Sequence, residues 1–77
     1  MARKSIYSAR YQKLKSLLVE ARLSAGLTQI ELAEKLARPQ SFVSKYERGE
    51  RRLDLVEFIE VADAIGFDPA KLIGKLK

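Results

Sequence analysis

Repeated helix-start and helix-stop signals divide this chain into short segments. Thr28 with Glu31, and Asp54 with Glu57, have the spacing of capping boxes, in which two side chains satisfy free N–H groups of a first helical turn. Glycines at 26, 49 and 66 stand where apolar periodicity ends, and glycine adopts the positive φ of a helix terminus at little cost. No stretch alternates apolar and polar residues long enough to predict a strand. The pattern therefore predicts an all-α fold.

Five short helices fit between these signals, with an N-terminal arm over residues 1–7 and one domain over residues 8–77. Their predicted bounds are about Ser8 to Ala25 for the first, a start at Gln29 for the second, Pro39 or Gln40 to about Arg48 for the third, Asp54 until Gly66 for the fourth, and a start after Asp68 for the fifth. Helical spacing predicts which apolar residues face the core. They are Leu14, Leu17, Leu18, Ala21 and Ala25, then Leu32, Ala33 and Leu36, then Leu55, Phe58, Ile59, Ala62 and Ile65, and finally Leu72, Ile73 and Leu76.

The composition argues against several chemistries. The 77 residues include no cysteine and no histidine, so disulfides, the commonest metal ligand and the commonest general base are all missing. Ser44 and Lys45 do not form a catalytic dyad, because adjacent helical residues point in different directions. We therefore expect no enzymatic activity, no metal and no cofactor. No apolar run is long enough for a membrane span and no signal peptide is visible, which predicts a cytoplasmic protein without a membrane partner.

Positive charge is concentrated in the first two-thirds of the chain. The net charge is +5, and residues 1–25 carry six basic side chains against one acidic side chain. Residues 53–77 carry three basic and five acidic side chains. One part of the molecule is therefore expected to face a polyanion.

The third predicted helix has two chemically different sides. At about 100° per residue, Val43, Tyr46 and Glu47 fall on one side with Pro39, while the opposite side carries Ser41, Ser44, Lys45 and Arg48. Small polar residues let a helix enter the major groove and read base edges, and basic residues hold phosphates. The second helix ends only a short turn earlier, so the pair is predicted to form a helix-turn-helix.

The stretch GLTQIELAEKLARPQSFVSKYERGERR resembles the helix-turn-helix of the phage repressor and Cro family, also called the XRE family. The matching residues are Arg22, GLTQ at 26–29, ELA at 31–33, Leu36, QS at 40–41, VS at 43–44, ERG at 47–49 and ADAIG at 62–66. The resemblance covers about residues 10–76. It implies the five-helix lambda-repressor-like fold, which agrees with the helices predicted from the signals above.

The resemblance also implies roles for individual side chains. Base edges would be contacted by Gln40, Ser41, Ser44 and Lys45, and backbone phosphates by Gln29, Arg48, Arg51 and Arg52. Arg3, Lys4 and Arg10 could extend the positive surface. Arg22 and Glu47 would form a partly buried ion pair, which explains why one acid lies among so many bases.

Three positions depart from the family pattern. Phe42 stands where a small hydroxyl residue is more usual, and it either packs sideways against the second helix or touches a thymine methyl or a deoxyribose. Ala37 replaces the usual turn glycine, and it costs roughly 1 kcal/mol if the turn needs positive φ. Pro39 exchanges a capping side chain for a preset φ.

These features predict a sequence-specific transcriptional regulator of double-stranded DNA, most simply a repressor that binds a palindromic operator as a homodimer. The dimer surface is expected on the fourth and fifth helices, at Val56, Leu72, Ile73 and Leu76, unless the last helix only closes the core. An antitoxin or controller protein that also binds a protein partner is an alternative. So is an interaction module that has lost DNA binding, although the basic helix face argues against it.

Overall fold

The computed structural model describes residues 8–77 and contains five helices. They are α1 (Ala9–Ser24), α2 (Gln29–Leu36), α3 (Gln40–Arg48), α4 (Leu55–Ile65) and α5 (Pro69–Gly74). The predicted all-α, five-helix fold is confirmed. The predicted N-terminal arm, with Arg3 and Lys4, lies outside the described residues.

The helix starts follow the capping signals. The Ser8 hydroxyl accepts a hydrogen bond from the Tyr11 N–H at 3.0 Å at the start of α1. Both capping boxes are formed, at the starts of α2 and α4. Asp68 caps α5, whereas Pro39 precedes α3 without a side-chain cap and takes the N-cap position. Local sequence therefore determines where each helix begins.

The ends of α2 and α3 have the same hydrogen-bond pattern, a Schellman motif, in which the chain turns through a left-handed residue. Gly49 provides this residue after α3, with φ of 82°. Ala37 provides it after α2, with φ of 56°, and no other non-glycine residue within 8–77 has positive φ. The turn that joins α2 to α3 therefore requires the conformation for which alanine is strained.

The core forms where α2 packs against α3 and α4, and where α1 packs against α3. Ala33 is buried in α2, as expected for a small residue at a close helix approach. The buried apolar side chains are Leu18, Leu32, Ala33, Phe42, Val43, Tyr46, Phe58, Val61, Ala62 and Leu72. All five helices thus contribute side chains to the core, and α1 and α2 hold α3 in place.

The predicted core face of α4 was partly wrong. Leu55 and Ile59 are 66% and 42% exposed, while Val61, which was not predicted, is completely buried. Apolar residues occupy most positions of α4, so spacing alone does not select one face. Packing against α2 and α5 selects the face that contains Phe58 and Val61. Likewise, Ala25 at the end of α1 and Ile73 on α5 are exposed, contrary to their predicted places in the core.

Candidate nucleic-acid interface

One side of α3 forms a continuous polar strip, which consists of Gln40, Ser41, Ser44, Lys45 and Arg48. Its members are exposed except for half-buried Ser44, whose hydroxyl donates to the Ser41 carbonyl at 3.4 Å. The opposite side of α3 is buried in the core. All four residues predicted to contact bases therefore lie together on one accessible surface, which ends in the cations Lys45 and Arg48.

A polar flank borders the strip on one edge and is built on an ion pair between α1 and α3. Arg22 Nε donates to Glu47 Oε2 at 2.7 Å, and Arg22 Nη2 donates to Glu47 Oε1 at 3.1 Å. The two side chains are only 11% and 6% exposed. Arg22 Nη1 also donates to the Leu27 carbonyl at 2.9 Å, so the guanidinium is held by three hydrogen bonds. The structure thus contains the ion pair that the resemblance implied, and the hydrogen bond with Glu47 raises the pKa of Arg22.

Two glutamines extend this flank toward the strip. Gln29 Nε2 donates to Glu47 Oε1 at 2.8 Å, and Gln40 Nε2 donates to Gln29 Oε1 at 3.4 Å. The first bond fixes the direction of the Gln29 amide, because the carboxylate can only accept. A chain of contacts therefore runs from the buried ion pair to the first residue of α3. Gln29, expected from the resemblance to hold a phosphate, is directed toward Glu47 and Gln40 in this structure.

A cationic flank borders the opposite edge of the strip and consists of Arg38, Phe42, Arg51 and Glu57. The Arg38 and Arg51 guanidinium carbons lie over the Phe42 ring, 4.3 and 4.8 Å from its centroid. The ring is 7% exposed and also meets Tyr46 edge-on, with centroids 5.5 Å apart. Phe42 therefore packs within the protein, and its partners include two cations that sequence reasoning did not identify.

Glu57 joins the two arginines of this flank. It accepts from Arg51 Nη1 and Nη2 at 2.9 and 2.8 Å, which is a bidentate pair, and lies 3.6 Å from Arg38 Nη1. Hydrogen bonds from Arg51, and then from the Asp54 backbone, lower the pKa of Glu57 to about 2. Sequence reasoning identified Glu57 only as a capping residue. The available signal in the sequence was Phe42, with Arg38 before it and Arg51 after it. This pattern does not specify which carboxylate the two arginines share.

The other two predicted phosphate-contacting arginines lie at the end of α3 and just beyond it. Arg48 forms a bidentate pair with Glu50, with distances of 2.9 and 3.1 Å, and both side chains are more than half exposed. The Arg52 guanidinium lies 5.6 Å from the Tyr11 ring centroid. Arg10 is exposed on α1. Exposed cations thus continue the positive surface beyond the strip.

The arrangement suits binding to a polyanion. Residues 8–77 contain no group of three or more side chains suited to hold a metal ion, and none of their helices is long and apolar enough to cross a bilayer. Amide, hydroxyl and ammonium groups on one helix can donate to or accept from base edges, while arginines can pair with phosphates.

Comparisons with known proteins agree with this geometry. The helix-turn-helix family profile matches residues 18–72. An XRE-family like protein from Pseudomonas syringae pv. tomato str. DC3000 is 58% identical, covering 94% of this chain and 88% of that chain, with a TM-score of 0.87. The restriction-modification controller protein C.AhdI from Aeromonas hydrophila is 34% identical, covering 84% and 98%, with a TM-score of 0.75. Curated protein sequences give no match. The chain therefore belongs to the XRE-like helix-turn-helix family of DNA-binding transcriptional regulators.

Proposed function

We propose that this protein is a sequence-specific repressor that binds a palindromic operator in double-stranded DNA as a homodimer. The observation that carries the proposal is the polar strip of α3, which is accessible along one helix and has polar or cationic groups on both edges. Gln40, Ser41, Ser44 and Lys45 read base edges in the major groove. Gln29, Arg48, Arg51 and Arg52 contact the phosphates. Occupation of promoter DNA then blocks transcription.

Dimerisation follows from how little DNA one short helix can read. Symmetric half-sites would lie about one helical turn apart, each occupied by one α3. Exposed apolar side chains on α4 and α5 support a dimer surface there, namely Leu55, Val56, Ile59 and Ile73. The surface expected from sequence needs correction, because Leu72 is buried and Leu76 packs against the core. Val56→Glu should produce a monomer in analytical ultracentrifugation, whereas Lys71→Glu, an exposed change on α5, should not.

A controller protein or antitoxin of the same fold is the second candidate. The similarity to the restriction-modification controller C.AhdI favours this possibility. Such a protein would bind its own operator and, for an antitoxin, a protein partner as well. Identification of the neighbouring gene, followed by co-purification with its product, separates this role from simple repression.

Selection of bound duplexes from random DNA, followed by salt titration, tests the proposed function. The selected sites should be palindromic. Lys45→Ala should relax preference at one position in each half-site, whereas Arg52→Ala should weaken all sequences about equally and flatten the salt dependence. Lys71→Ala is the matched control, because it removes one exposed cation from α5, away from α3. Absence of DNA binding by the intact protein at low salt would contradict the proposal.

A further inference from the structure

The two flanks of α3 lie on opposite edges of the polar strip. At about 100° per residue, Gln40 at one edge of the strip and Phe42 beyond its other edge are about 200° apart around the helix axis. A helix in the major groove, which is about 12 Å wide, lies between two phosphate backbones. If α3 binds DNA as proposed above, the polar flank faces one backbone and the cationic flank faces the other.

On the cationic flank, Phe42 and Glu57 hold Arg51 in different ways. The Glu57 carboxylate accepts from N–H donors in the plane of the Arg51 guanidinium. The Phe42 ring instead contacts the guanidinium without using any of its N–H donors. A phosphate can therefore replace Glu57 as the acceptor while the contact with the ring persists. Because Phe42 is buried and packed on Tyr46, it provides a rigid surface for this purpose.

We propose that Phe42 is a positioning residue for DNA binding. Its ring holds the guanidinium of Arg51 at the edge of α3, so that the guanidinium is already ordered when it meets a backbone phosphate. Arg51 is more than one-third exposed, so its charge is accessible from solvent. Arg38 occupies the same ring and restricts the space into which Arg51 can move. This role rests on the proposed function, and it gives Phe42 a part in DNA binding without direct contact with DNA.

A double-mutant cycle with Phe42→Leu and Arg51→Met tests the coupling. Leucine keeps an apolar side chain at the site but removes the aromatic face, and methionine keeps an unbranched apolar stem without the guanidinium of arginine. We would measure binding of the selected operator duplex, and of an unrelated duplex of equal length, as a function of salt. Thermal unfolding of each variant separates loss of stability from loss of binding.

Phe42→Leu should weaken binding to both duplexes by about two- to fivefold, as loss of an exposed cation–π contact predicts. The slope of log K against log salt should flatten by up to about 0.9, the value for one phosphate contact. In the Arg51→Met background, Phe42→Leu should cause less than half of that loss in affinity. Phe42→Tyr, which keeps the ring, should retain the slope of the original protein.

Phe67→Leu is the matched control, because that ring packs against Phe58, with centroids 6.0 Å apart. It should lower the melting temperature without changing the salt slope. Equal losses from Phe42→Leu in both backgrounds, or an unchanged slope, would show that Phe42 only packs in the core. If Phe42→Leu does not fold, Phe42→Met enters the same cycle, because methionine adapts to irregular space. Failure of the original protein to bind either duplex contradicts the proposed function itself.

Discussion

The polar and cationic flanks of α3 use charge in opposite ways. On the polar flank, Arg22 and Glu47 are almost completely buried and form hydrogen bonds with each other. On the cationic flank, Arg38 and Arg51 are each more than one-third exposed and lie over a ring. A buried cation tolerates no missing partner, whereas an exposed cation can exchange partners with solvent or a ligand. The first flank therefore fixes the position of α3, and the second keeps cations accessible beside it.

The largest effect is expected from Glu47→Ala. It should lower the free energy of unfolding by about 3 kcal/mol, because it leaves Arg22 buried without its counter-ion. Urea unfolding measures the change. The matched control is Glu50→Ala, which removes the exposed partner of Arg48 and should leave the free energy of unfolding almost unchanged. Similar effects at the two positions would remove the distinction between a buried and an exposed pair.

Glu57→Ala should have an intermediate effect. It removes the shared partner of Arg38 and Arg51 and also breaks the capping box of α4, for a loss of about 1–2 kcal/mol. Glu57→Gln can keep the capping box, because glutamine is also found at this position of the motif. Thermal unfolding of both variants separates the two contributions. If Glu57→Ala lowered the free energy of unfolding as much as Glu47→Ala, the cationic flank would contribute as much to stability as the polar flank.

The Glu57 carboxylate should also make the free energy of unfolding depend on pH in the acidic range. The pKa of Glu57 is lowered to about 2, below its value of about 4.3 in an unfolded chain. Its contribution is therefore fully present above about pH 4.3 and is lost as the pH falls toward 2. Urea unfolding across this range should show a shallower loss of stability for Glu57→Gln than for the original protein. Parallel curves would show that Glu57 is not the titrating group.

The smallest effect is expected at Ala37, next to Arg38 in the turn. Ala37→Gly should raise the free energy of unfolding by at most about 1 kcal/mol, since relief of the left-handed strain is partly offset by the greater freedom of glycine in the unfolded chain. Gly49→Ala is the reverse control, at φ of 82°, where a Cβ would also lie 2.8 Å from Lys15 Nζ. It should destabilise the protein. Destabilisation by Ala37→Gly would instead show that the alanine side chain contributes to the turn.

The helix boundaries were predictable because their signals are local. A capping box that begins at Thr28 or Asp54 involves residues of a single helical turn. A glycine such as Gly49 ends a helix because it adopts a positive φ itself. The face of α4 was less predictable, since Leu55, Ile59 and Val61 are all apolar and only neighbouring helices decide which is buried. The core-facing side of α3 was predictable because its apolar and polar residues separate clearly around the helix.

The candidate site was predictable in its location but not in its partners. Helical spacing placed Ser41, Ser44 and Lys45 on one face of α3. The family resemblance added Gln40 to them and paired Arg22 with Glu47. The sequence did not show that Gln29 forms hydrogen bonds with both Glu47 and Gln40. A glutamine amide has many possible partners of similar energy. Nor did the sequence show Phe42 between the two arginines.

The sequence by itself determined five helices, their starts and ends, the polar strip of α3 and the positive charge around it, because all of these depend on neighbours within a few residues. The tertiary structure alone decided that Arg38 and Arg51 share Glu57, and that Phe42 lies against both arginines. Arg38, in the turn after α2, meets Glu57 only after α2 and α4 have packed together. Side-chain partners across such distances are selected by packing and burial, and these are properties of the whole fold.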